Sequence, residues 1–291
     1  MFKKMAVMLM MTLVLGAAAQ ADDNATMTAE EFEASLKFQK GVIVLPGGMA
    51  TLNIPDSFRY LDSEDTERVL VEAWGNPSGE GTLGMLFPAD VNPTSENGWG
   101  IVITYEEDGY VSDKDADAID YDDLLKEMKD AVAERNKERQ AQGYQTVDLV
   151  GWAAKPHYDK EQHKLHWAKE LSFGADREHT LNYNIRVLGR RGVLVLNAVS
   201  AIGQMETVAA QVQTVLDFTD FNTGFRYADY DAKTDKKAAY GIAALVAGGV
   251  AAKAGLFTKL IALLLAAKKL VIVAVIGLGA FIMNLFKRKK A

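Results

Sequence analysis

The stretch that most constrains this chain is its end. From Ala238 to Ala291 there is no Asp or Glu, and Leu270 to Phe286 carries no charge between Lys268-Lys269 and the basic cluster Lys287 to Lys290. At 1.5 Å rise per residue that run makes roughly 25 Å of helix, close to the ~30 Å hydrocarbon thickness of a bilayer. The pattern predicts a transmembrane helix over 270–286. The preceding 238–267 is also apolar but holds Lys253, Lys259, Gly248, Gly249 and Gly255. It reads as an interfacial or self-packing helix, its lysines snorkelling and its small residues allowing close approach. The positive-inside rule keeps 287–290 in the cytoplasm and favours a single crossing; the rival is a helical hairpin turning near Lys268.

The other end has the marks of a secretory signal peptide. Lys3 and Lys4 precede an apolar stretch from Met5 to Leu15, and the small residues that follow lead to Ala19-Gln20-Ala21, which places a cut after Ala21. The layout expected is therefore a signal peptide over 1–21, an exported domain over 22–237 and an anchor over 238–291. Taking the two lysines of the first segment and the eight basic residues of the last away from the chain's −7 leaves −17 on the domain between. So acidic a domain argues against nucleic acid, since phosphate backbones select basic surfaces. There is no cysteine, so disulfides, thiolate catalysis and cysteine-ligated metals are excluded.

Within the domain the elements come in mixed order. Thr28 is placed to cap a helix running to about Phe38, Gly41 to Leu45 and Ala50 to Ile54 read as strands around Pro46-Gly47-Gly48, and Ser63 is placed to cap a helix from Glu64 to about Trp74. Leu83 to Phe87 and Gly100 to Tyr105 follow as strands, then a long helix opens at Asp120 and stops at Gly143. Val147 to Trp152, Lys164 to Phe173, Leu181 to Leu188 and Gly192 to Val199 are strand-like, the last two joined through Gly189-Arg190-Arg191-Gly192. The last carries apolar residues on both faces, which marks a central strand. Gln204 to Leu216 aligns Met205, Val208, Ala209, Val212, Val215 and Leu216 in one stripe suited to cover the sheet. This order predicts an α+β domain with a largely antiparallel sheet, covered by helices and tied to the membrane by a linker over 228–237.

Several stretches then taken together carry a resemblance: Trp74-Gly75-Asn76-Pro77, Gly109-Tyr110-Val111, Ile119-Asp120-Tyr121-Asp122, Gly151-Trp152, Pro156-His157-Tyr158-Asp159, Leu165-His166-Trp167-Ala168-Lys169, Leu181-Asn182-Tyr183 through Arg190-Arg191-Gly192, and Phe225-Arg226-Tyr227-Ala228-Asp229. Over roughly Val42 to Phe286 the chain resembles bacterial membrane-anchored proteins of domain-of-unknown-function family number 2167. The resemblance implies a signal peptide, an exported domain and a C-terminal anchor, with no established activity and no catalytic residues to carry over; the layout as a whole is that expected of a protein of the bacterial inner membrane. Asn53-Ile54-Pro55, the paired strands and the closing helix ending Val215-Leu216-Asp217-Phe218 are also similar to folds of the PsbP and Mog-one type, a likeness of fold alone.

Residue types that carry chemistry are sparse. His157, His163 and His166 with Asp159 are the candidate metal ligands, but in an extended strand His163 and His166 point to opposite faces. Asp113, Asp115 and Asp117 have calcium-loop spacing, yet Ala118 and Leu124 stand where such a loop needs glycine and glutamate, leaving a solvated turn before the helix. No nucleophile elbow, Walker loop, HExxH or dinucleotide fingerprint is present. Arg190 and Arg191 with Trp152 and Tyr158 suit a protein interface, where Arg and aromatics are enriched. The favoured reading is a non-enzymatic binding or accessory module in the periplasm, without cofactor, whose partners are the bilayer and another envelope protein or itself. The alternative is an envelope hydrolase using carboxylates or a histidine-bound metal.

Overall fold

Strict alternation along Leu181-Asn182-Tyr183-Asn184-Ile185-Arg186-Val187 can bury one face only if a strand lies in a sheet with a covered side. The computed structural model, which describes residues 27–76, 81–175 and 177–248, builds that sheet from seven antiparallel strands. In chain order the strands are β1 (Gly41–Val44), β2 (Ala50–Ile54), β3 (Phe58–Leu61), β4 (Thr82–Pro88), β5 (Gly100–Glu106), β6 (Tyr110–Ser112), β7 (Val147–Asp159), β8 (Lys164–Phe173), β9 (Thr180–Leu188), β10 (Val193–Ala201), β11 (Thr219–Phe221) and β12 (Lys237–Gly241). The large sheet runs β3-β4-β5-β10-β9-β8-β7, which puts β10 in the middle as its two-sided apolar pattern requires. A small antiparallel sheet runs β1-β2-β11, and β12 lies parallel to β6.

The helices are α1 (Ala29–Ser35), α2 (Ser63–Arg68), α3 (Tyr121–Ala141), α4 (Met205–Phe218) and α5 (Ile242–Ala247). Thr28 caps α1 through a reciprocal pair with Glu31. Asp120 caps α3, its carboxylate accepting from the N–H groups of Asp122 and Asp123. The stripe of α4 covers one face of the large sheet, burying Val208, Val212, Val215 and Leu216 against Ile101, Ile103, Ile185, Leu194 and Leu196. On the opposite face α1 and α2 pack Phe32, Leu36 and Val69 on Met85 and Phe87. Asn136 of α3 pins the outer strand β7, donating to the Val147 carbonyl and accepting from its N–H at 2.9 Å each, so backbone groups at this sheet edge have partners.

Several expectations need correcting. Asp62, not Ser63, caps the second helix, because its carboxylate reaches the Asp65 N–H, and the helix widens to a π turn over Val69–Ala73. The strand expected over 147–152 continues to Asp159, with register shifts at three places that let Pro156 sit within it. Strands β3, β6 and β11, of four, three and three residues, have no counterpart in the sequence reading, and β12 replaces the first residues of the helix expected over 238–267, where Lys237–Gly241 lies extended along β6; their pairing partners are distant in the chain. The stretch 228–237 is not a free linker. Tyr230 stacks on Tyr110 at 3.9 Å, and the Asp235 carboxylate, its side chain 2% exposed, takes a two-pronged contact from Arg190.

The chain divides into two compact units, Met1–Ile242 and Ala243–Ala291. No helix among the described residues is long and apolar enough to cross a membrane. The signal peptide expected over 1–21 and the transmembrane helix expected over 270–286 both lie outside the described residues.

Candidate functional site on the seven-stranded sheet

The face of β9 turned away from α4 carries Asn182, Asn184 and Arg186 in succession. Register sets Asn184 between Asn197 of β10 and Trp167 of β8, Asn182 beside Lys169, and Arg186 beside Val195. A hydrogen-bonded row results. The Arg186 Nη2 approaches the Asn184 Oδ1 at 3.4 Å, the Asn184 Nδ2 donates to the Asn182 Oδ1 at 2.8 Å, and the Asn182 Nδ2 donates to the Asn197 Oδ1 at 3.1 Å. The Arg186 guanidinium stands 5.1 Å over the Trp167 ring, a cation–π placement. Trp167 is 1% exposed, and its indole N–H has no acceptor among the described residues.

Two cations sit in this island without a carboxylate at ion-pair distance among the described residues. Desolvation, reinforced by Arg186 and by Arg135 of α3, draws the Lys169 ammonium down to about 8. Desolvation likewise draws Arg186 down to about 10, although Glu106 and Tyr240 pull the other way. The Lys169 ammonium, on a strand paired on both sides, makes no side-chain hydrogen bond among the described residues. Both side chains are half-buried, and holding like charges close together opposes folding.

The residues singled out in the sequence are distributed elsewhere. His157 and His166 are direct cross-strand partners on β7 and β8, their rings 5.4 Å apart, and the His166 Nδ1 meets the Tyr183 hydroxyl at 3.0 Å. Desolvation, then His157, lowers the His166 pKa. His163 stands apart at the β7–β8 turn with φ of 55°, its Nδ1 3.2 Å from the Tyr158 hydroxyl and its ring 4.1 Å from Tyr227. Desolvation holds the His163 pKa below its ordinary value against the pull of Asp113 and Asp159. The Asp159 carboxylate serves that turn, accepting from the Glu161 and Gln162 N–H groups. Among the described residues no group of three His, Asp or Glu is arranged to hold a metal ion.

The acidic loop is more than a solvated turn. Asp113 accepts from the Tyr158 hydroxyl at 2.9 Å, and Asp115 accepts from the Ile242 N–H at 3.0 Å; Asp117 pairs with Lys160. Trp152 donates its indole N–H to the Tyr121 carbonyl, and Arg190 is committed to Asp235, leaving Arg191 as the more exposed of the two arginines. A cleft of about 560 Å³ opens near His163, Lys164, Asp220, Arg226 and Tyr227. Lys164 in it is already satisfied by the Leu216 carbonyl at 2.7 Å and Asp220 at 3.1 Å.

Sequence reasoning passed over Lys169, Asn182, Asn184, Arg186 and Asn197. The signal was available: three polar residues at i, i+2 and i+4 on a strand whose other face is wholly apolar.

The fold defines an α+β domain on a large antiparallel sheet. A model of the family described as proteins of unknown function, DUF2167, matches residues 37–279, and the chain belongs to that family. No curated protein matches. Among solved structures the chain is similar to the cyanobacterial PsbP, CyanoP, of Synechocystis sp. PCC 6803, at 10% identity over 71% of this chain and 100% of that one, with a TM-score of 0.35. It is also similar to the Ran-binding protein Mog1p of Saccharomyces cerevisiae, at 9% identity over 64% of this chain and 96% of that one, with a TM-score of 0.31. A Mog1 point mutant gives 9% identity over 62% and 95%, with a TM-score of 0.32. At these scores the likenesses lend nothing to the functional reading.

Proposed function

We propose that this chain is exported, held in the inner membrane by a single C-terminal crossing, and serves through its periplasmic α+β domain as a non-enzymatic binding module. The observation that carries the reading is the acid-free end of the chain, with its uncharged run over 270–286 closed by four basic residues. The chemistry of the domain supports the second half. Groups suited to acid–base work, His163, Tyr158 and Asp113, hold one another and close the loops around them. The polar island on the sheet, by contrast, has donors to spare. Its partner is a ligand or another envelope protein.

Because the chain has no cysteine, Ala291→Cys is a clean probe. In intact spheroplasts a membrane-impermeant thiol reagent should leave that cysteine unlabelled. Labelling there overturns the single crossing and establishes a hairpin.

A further inference from the structure

We propose that the island of Lys169, Arg186, Asn182, Asn184 and Asn197 is a binding site for a phosphate group. This deepens the binding-module reading and rests on it. The first ground is charge. Lys169 and Arg186 belong to register rows of β8 and β9 on either side of the Trp167–Asn184 row, and the Arg186 guanidinium leans over that row, 5.1 Å from the Trp167 ring and 3.4 Å from the Asn184 Oδ1; Arg135 of α3 also acts on Lys169, and no carboxylate reaches ion-pair distance of either cation among the described residues. A monoanion would neutralise one of the two sheet cations, whereas a phosphate dianion neutralises both with a single group.

The second ground is the supply of donors. The ammonium of Lys169 offers three N–H groups and Arg186 presents a planar fork, of which one nitrogen reaches the Ile185 carbonyl and another only the distant Asn184 Oδ1. The asparagine row points its donors one way, from Arg186 toward Asn197, and so fixes the amides rather than leaving them free to rotate. The Trp167 indole N–H, buried and unpartnered, lies in the same register row as Asn184 and Asn197. An island with only donors in excess selects an acceptor-rich ligand, and phosphate is the richest common one. Such a group comes free in solution or on a phospholipid headgroup, and the chemistry of recognition is the same.

The test uses the full chain in detergent micelles, titrated with inorganic phosphate at pH 7.5 by calorimetry, with thermal unfolding as a second readout. Phosphate should bind and raise the midpoint. Lys169→Met and Arg186→Met, each folded by circular dichroism, should weaken binding about tenfold or more, the loss of one charge-assisted contact. Lys155→Met, which removes a surface lysine paired with Asp122, should leave it unchanged. Displacement of phosphate by short-chain phosphatidylglycerol assigns the lipid source, and retention of phosphate assigns the free one. Absence of binding to the folded wild type, or equal weakening in all three variants, overturns the site. Neither result bears on Ala291→Cys labelling, so failure of the ligand and failure of the topology stay distinct.

Discussion

Lys164 and Lys169 stand five residues apart on β8 and therefore on opposite faces of one sheet, and their fates differ. Lys164 is 4% exposed, yet its ammonium meets the Leu216 carbonyl at the end of α4 and the Asp220 carboxylate. A cation at a helix C-terminus with a carboxylate beside it stabilises the fold. Lys169, among Arg186, Trp167 and asparagines, has no such partner among the described residues. Burial alone thus does not mark a functional cation: Lys164 is the more buried of the two and is compensated, whereas the half-buried Lys169 is not. The face under α4 is apolar core, whereas the other, although it buries Leu165, Trp167 and Val193, also carries the polar island.

The largest effect that can test this contrast is a charge on the core face. Leu196 is fully buried under α4, so Leu196→Asp should cost about 4 kcal/mol or more and yield no cooperative unfolding transition. A folded, cooperatively melting variant would show that this face is not the core. The same substitution one residue earlier should behave differently. By its place on the central strand Val195→Asp would be expected to unfold the domain as well, but Val195 is the register partner of Arg186. A carboxylate there gains a cation, and the cost should fall to about half that of Leu196→Asp. Adding Arg186→Met should restore the full cost in urea unfolding; additive effects would deny that the two side chains meet.

A smaller effect is expected at the compensated lysine. Lys164→Met leaves the Leu216 carbonyl without its donor and should destabilise by about 1–2 kcal/mol. Its partner Asp220 is exposed and adds little. A neutral or stabilising outcome in denaturant titration would erase the distinction between the two lysines.

Much of the fold was legible because it rests on local signals. The caps at Thr28 and Asp120, the stripe of α4 and the two-sided apolar β10 each follow from residues near one another in sequence. What sequence hid depends on distant pairing. Strand β12 exists because it lies along β6, and β11 because it lies along β2, and neither is long enough to show a period of its own. The candidate site was hidden for the same reason. Asn182, Asn184 and Arg186 are visible as a polar face of β9, but only register brings Lys169 and Asn197 beside them. The histidines, prominent by type, are divided: register pairs His157 with His166, while the β7–β8 turn sets His163 apart.

The most delicate test of the contrast is pH. A lysine whose pKa is about 8 in the fold and about 10.4 in the unfolded chain binds its proton less tightly when folded. Below about pH 8 both states carry the charge and the fold bears the full penalty; above about pH 10.4 both are neutral and the penalty is gone. Stability should therefore rise as pH passes from about 8 to about 10.4. The rise should be only about 1 kcal/mol, because Lys169 is partly reached by solvent. Arg186 of β9 and Arg135 of α3 are the charges that act on it. In Lys169→Met, with no ammonium to neutralise, the rise across this window should flatten while stability at pH 7 increases by a similar amount, measured by urea unfolding of the full chain in micelles without phosphate. If instead Lys169→Met retains the slope, its ammonium is not the uncompensated cation and the contrast between the two faces fails.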